Sequence, residues 1–214
     1  MTPLFDGPTL LTFGLAAAAL VAAPGPGQAL VLTRTLQGGT RAGVWTALGL
    51  EIGTAVHTLA AALGLSAILA TSATAFAVVK FLGAGYLIFL GIRALRTPVA
   101  GPADASAPQD PPPTAHLLAQ ATVTGILNPK VAIFFLAFLP QFVDPARGNP
   151  FLQFVLLGFG FAVLGVLGDG LVAAVAGRAR HRVVTGPGWA RWRERLTGGV
   201  LVALGIRLAF ESRR

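Results

Sequence analysis

The chain contains no cysteine. That excludes disulfides, thiolate metal sites and thiol redox chemistry. Charge is scarce as well: Asp, Glu, Lys and Arg make up 11% of the 214 residues, against about 25% in a soluble domain. The three histidines, His57, His116 and His181, are scattered and lack metal-ligand spacing. No Gly-x-x-x-x-Gly-Lys-Ser/Thr phosphate loop occurs, so ATP does not drive this protein through such a loop. The sequence offers neither a convincing nucleophile–base pair nor a metal triad, so a membrane enzyme is disfavoured and no cofactor is expected. What is abundant is apolar: 54% of the chain is hydrophobic, with 27 Gly and 14 Phe. This is the composition of an integral membrane protein whose helices pack closely through small residues. The net charge of +8 sits mostly in short loops, where it reports membrane topology rather than nucleic-acid binding.

Six apolar segments run approximately over 8–33, 42–66, 73–95, 115–140, 150–176 and 192–211. A spanning helix needs about 20 apolar residues, and each segment reaches that length. Met1 to Asp6 has no Lys or Arg, so a secretory signal peptide is not expected and the first apolar run is read as a membrane segment. Between segments three and four the chain carries Pro98, Pro102, Pro108, Pro111, Pro112 and Pro113, the composition of a linker. The predicted organisation is a three-helix membrane repeat over 1–96, a Pro-rich cytoplasmic linker over 97–114 and a second three-helix repeat over 115–214.

The halves are weakly alike. Leu90-Gly91-Ile92-Arg93 recurs as Leu204-Gly205-Ile206-Arg207. Three segments per repeat force the second copy to insert upside down, giving an inverted repeat. Loops after segments one, three and five hold Arg34, Arg41, Arg93, Arg96, Arg178, Arg180, Arg182, Arg191, Arg193 and Arg195. These face the cytoplasm by the positive-inside rule, which leaves both termini outside.

Two segments are interrupted at corresponding positions, one by Pro24-Gly25-Pro26-Gly27 and the other by Asn128-Pro129-Lys130. Broken helices at matching places in two halves point to a transporter's binding site, because freed backbone groups are tolerated in a bilayer only beside protein or a watery cavity. Half-helices starting after Gly27 and near Lys130 would present N–H groups to a substrate carboxylate; the competing reading is that the prolines only kink packed helices. Gln28 and Asn128 flank the breaks and are candidates to satisfy freed backbone groups or to touch substrate. Glu51 and Asp169 lie deep in segments two and five, where a charge costs about 2.5–3.5 kcal/mol on insertion scales. They are expected to hold a substrate ammonium group or carry a coupling proton, or else to form structural ion pairs. Lys130 is equally a carboxylate ligand or the neutralising partner of those acids. His57 is a packing residue or a proton relay. Lys80 is expected to be a snorkelling anchor. Gly49 and Gly53, one turn apart, predict close helix approach.

Taken together, these residues resemble the LysE/RhtB family of bacterial amino-acid exporters. The resemblance rests on Pro24-Gly25-Pro26, Gly38-Gly39-Thr40-Arg41-Ala42-Gly43, Gly49, Gly53, His57 and Ala61-Ala62-Leu63-Gly64-Leu65. It continues through Lys80-Phe81-Leu82-Gly83-Ala84-Gly85-Tyr86-Leu87, Leu90-Gly91, Asn128-Pro129-Lys130, Phe134-Phe135 and Leu139-Pro140-Gln141-Phe142. It implies export of amino acids or related zwitterionic metabolites across the inner membrane, with proton antiport as the expected energy source. The fold expected is all-α, six transmembrane helices in two inverted repeats with helices one and four broken. Substrate and bilayer are the expected partners, nucleic acid is not, and Gly-rich faces allow a homodimer. The alternatives are an exporter of metal or other small ions and a non-transporting membrane protein.

Overall fold

The computed structural model describes residues 3–65 and 112–178, with isolated helical positions between 74 and 96 and between 195 and 206. Most of segments three and six, Lys80, the Leu-Gly-Ile-Arg repeat and linker residues 97–111 therefore lie outside the described residues. The described chain is helical. It comprises α1 (Gly7–Ala22), α2 (Pro26–Ala60) continued by a π-turn (Ala61–Leu65), α3 (Thr114–Ile126), α4 (Pro129–Ile133) continued by a π-turn (Phe134–Phe138) and a 3-10 turn (Leu139–Phe142), a 3-10 turn (Pro145–Arg147), and α5 (Pro150–Arg178). Among the described residues two helices are long and apolar enough to cross a membrane, α2 with its π extension and α5, and a third span forms if α3 and the helix after it, bent by 47°, count as one.

Prolines begin helices here more than they kink them. Pro8, Pro26 and Pro129 occupy the first or second position of α1, α2 and α4, and Pro150 opens α5. That position tolerates a missing N–H and favours the fixed φ of proline. α2 bends at Gly38–Gly39, where Gly39 has φ 73°, a conformation that suits glycine and disfavours any residue with a Cβ. The bend turns segment one into segment two.

The second limb of α2 is the central element. It runs antiparallel to α5: Thr40 lies against Gly177, Gly43 against Ala173, Glu51 against Gly165 and Thr58 against Gly158. It runs parallel to α3, with Gly49 against Leu118 and Ala121 and Gly53 against Gly125 and Ile126. Thr122 Oγ1 donates to the Gly49 carbonyl at 3.1 Å. This parallel and antiparallel order is the alternation expected of segments two, four and five. A Cβ on Gly53 would stand 2.7 Å from the Ile126 backbone nitrogen, and backbone cannot swing away. Gly53→Val should therefore separate α2 from α3 and cost about 1–3 kcal/mol, read as a lower melting temperature in detergent.

Outward and inward faces differ as a bilayer requires. α5 exposes Phe159, Val163, Leu167, Leu171 and Val175, while it buries Gln153 and Asp169. Polar groups in a span turn to the protein interior. At one end, Asp6 caps α1 by accepting from Thr9 N at 2.8 Å. Arg147 joins it to the loop before α5, 3.0 Å from Asp6 and 3.3 Å from Asp144, and the buried Gln153 side chain holds both backbone groups of Asp144. The Thr9 hydrogen bonds, then the Arg147 guanidinium, keep the Asp6 carboxyl below its ordinary value of 3.8. A depressed carboxylate contributes its stability above the unfolded value and loses it as pH falls through the folded one. Hydrogen exchange across the first turn of α1 should therefore rise, relative to its intrinsic rate, only as pH drops below 3.8.

Candidate functional site

Both predicted breaks are real, and they meet. At the first, Ala23 and Gly25 are extended (ψ 128° and 179°). At the second, Asn128 is extended (ψ 104°) and its side chain caps the next helix by accepting from Lys130 N at 3.1 Å. The half-helices start slightly earlier than expected, at Pro26 rather than after Gly27 and at Pro129 rather than Lys130, because a proline fits the first helical position.

Lys130 joins the breaks. Its ammonium donates to the carbonyls of Leu20 and Ala23, each at 2.9 Å. These belong to the last turn of α1 and its cap, where carbonyls lack intrahelical partners and a cation complements the helix dipole. Gln28 Nε2 reaches the Val21 carbonyl at 3.4 Å. Thus the chain end exposed by break one is covered by residues flanking both breaks. The sequence gives Lys130 two candidate jobs, carboxylate ligand or counter-ion; capping α1 is a third that spacing alone does not reveal. Gly25 leaves room for it: a Cβ there would already touch the Lys130 amine at 3.4 Å.

Beside the breaks lies a cavity of about 40 Å³. A single water needs roughly 10–15 Å³ by this measure, so the cavity holds a few waters or one small polar group. Gly27, Gln28, Glu51, Asn128, Lys130 and Asp169 line it. Three helices, α2, α4 with its cap and α5, supply these groups, so the structure brings together both deep acids and both breaks. Thr54, Gly125, Phe161 and Gly165 also line it; none of the four stands out in the sequence. Gly165 is present because a Cβ there would collide with the Glu51 carboxylate. Lys130 acts electrostatically on both acids, and Asp169 on Glu51. Glu51 Oε2 and Gln28 Oε1 are buried without a hydrogen-bond partner.

Pro24, Gly25 and Pro26 shape the break without lining the cavity, and Pro129 is exposed. His57 stands apart from it. Its Nε2 lies 3.3 Å from the Gly125 carbonyl, at the end of α3, and its ring is 6.1 Å from Phe135. Phe161, in the cavity wall, belongs to a phenylalanine cluster: it packs on Phe134 at 5.0 Å and on Phe135 at 5.4 Å, and Phe13, Phe138 and Phe142 continue the cluster. Among the described residues no three His, Asp or Glu side chains are grouped to hold a metal ion.

Residues 18–212 match the family described as LysE type translocator. A membrane protein of Vibrio cholerae is 32% identical over 200 residues, covering 93% of this chain and 95% of its own. The membrane protein YrhP of Bacillus subtilis is 31% identical over 208 residues, covering 93% and 97%. A leucine efflux protein of Klebsiella pneumoniae is 30% identical over 202 residues, covering 93% of each chain. No solved structure matches the chain.

Proposed function

The chain belongs to the LysE type translocator family, a membrane transporter and not an enzyme, and from that premise we propose that it exports amino acids or related small zwitterionic metabolites across the bacterial inner membrane in exchange for protons. The observation that carries this reading is the meeting of two helix breaks around a cavity holding Glu51 and Asp169. The similarity to a leucine efflux protein supports an amino-acid substrate.

In this reading the protein has six helices in two inverted three-helix repeats, 1–96 and 115–214, joined by the 97–114 linker, with both termini outside. Segment one runs away from the Asp6 end and segment four toward it, the relation inverted repeats require. Glu51 and Asp169 receive the substrate ammonium and the coupling proton in turn. The N-terminus of α2, which Gly25 leaves without a side-chain cap, takes the carboxylate at Gly27 and Gln28, with Asn128 alongside. Lys130 closes break one, and His57 steadies the end of α3. The phenylalanine cluster is the gate on the Asp6 side, and substrate entry widens a cavity that is too small for a whole amino acid.

The test is transport by purified protein in proteoliposomes loaded with each amino acid and an internal pH dye. Efflux of a few amino acids with a matching proton movement inward is expected. Efflux without proton movement contradicts the coupling, and no efflux of any amino acid contradicts the substrate class.

A further inference from the structure

The cavity's unmet groups all ask for donors. Gln28 is 8% exposed, and its amide is oriented: Nε2 is engaged at the Val21 carbonyl, which leaves Oε1 pointing onward, buried and without a partner. Glu51 Oε2 is in the same condition. Asp169, also 8% exposed, adds a second carboxylate to the same walls. The cationic side chain in the lining, Lys130, has at least two of its N–H bonds committed to Leu20 and Ala23. A buried acceptor left without a donor is costly, and a cation able to donate several hydrogen bonds satisfies such acceptors at once. The volume, about 40 Å³, suits a single ammonium head and not a whole amino acid.

We propose that Gln28 Oε1, Glu51 and Asp169 form a primary-ammonium subsite, so that a free amine is the obligatory recognition element of the substrate and the carboxylate is dispensable. This rests on the export reading for its role in transport, while the subsite itself can be tested apart from it. The ligand class widens accordingly, from amino acids to small primary amines that lack a carboxylate. Acids that lack an amine are excluded.

Two half-molecules of leucine separate the groups: isopentylamine, as its chloride, and 4-methylpentanoate, as its choline salt. Thermal stability of the full-length protein in detergent is measured with each, with choline chloride and sodium chloride as controls, for wild type, Glu51→Gln and Gln28→Leu. Isopentylamine should stabilise wild type and bind it at least about tenfold more tightly than 4-methylpentanoate. Each substitution should weaken amine binding by roughly 10–100-fold, the value of a hydrogen bond to a charged group. Equal stabilisation by the acid overturns the proposal, as does equal stabilisation by sodium chloride, which would mark an inorganic-cation site. Absence of stabilisation by the amine overturns it too. Leucine efflux from proteoliposomes is scored in parallel. Efflux without amine binding removes the subsite and leaves export standing; amine binding without efflux of any amino acid does the reverse. Because Gln28→Leu removes no charge, it keeps the result readable if Glu51→Gln fails to insert.

Discussion

Glu51→Gln, inserted at the wild-type level, should export no faster than cells lacking the protein. The substitution keeps shape and volume but removes the ionisable carboxyl that lines the cavity from the middle of α2. An ammonium group would lose a charge-assisted hydrogen bond worth about 1.5–3 kcal/mol, and about 1.4 kcal/mol is tenfold in an equilibrium constant. A side chain that cannot ionise also cannot carry a proton, so coupling and binding fail together. The expected fall is therefore roughly 100-fold or more. Folding should survive, because a buried carboxylate with an unpartnered oxygen is a cost to the fold and neutralising it removes that cost. Initial efflux rates at matched membrane expression check this. A variant that exports normally would reduce Glu51 to packing against Gly165.

Lys130→Met should instead damage the fold. It strips donors from the Leu20 and Ala23 carbonyls in a part of the chain where water is scarce, and each such bond is worth about 1.5–3 kcal/mol. It also leaves Glu51 and Asp169 without their nearby positive charge. A change of 1 kcal/mol moves the melting temperature of a chain this size by about 2–4 °C, so a drop of roughly 6 °C or more is expected in detergent, with reduced membrane expression. A Lys130→Met protein that melts like wild type and loses only substrate affinity would assign Lys130 to the substrate and not to break one. The contrast with Glu51→Gln is diagnostic: one substitution spares the fold and stops export, while the other loosens the joint between the breaks.

Much of this was legible because it is written in local chemistry. Pro24-Gly25-Pro26-Gly27 and Asn128-Pro129-Lys130 mark helix breaks by missing donors and preferred φ values, which need no knowledge of neighbours. Glu51 and Asp169 are conspicuous because a bilayer penalises charge, and Gly49 with Gly53 reads as close packing because only small residues allow it. The parts that escaped depend on which atoms meet across the fold. Lys130 looks like a ligand until the α1 carbonyls are seen beside it. Gly165 is one glycine among 27 until Glu51 is found against it. Thr54 and Phe161 carry no mark of the cavity. His57 sits two turns beyond Gly49 on the same helix, yet the face it occupies meets α3, away from the acids. The six-segment count and the internal repeat remain expectations from hydropathy and the Leu-Gly-Ile-Arg recurrence, since segments three and six lie largely outside the described residues.

Amino-acid efflux from dipeptide-loaded bacterial cells tests the central claim most directly, comparing wild type, Glu51→Gln and empty vector at matched membrane expression. Faster loss of one or a few amino acids from wild-type cells alone is the predicted result. No difference between wild type and vector for any amino acid would contradict amino-acid export.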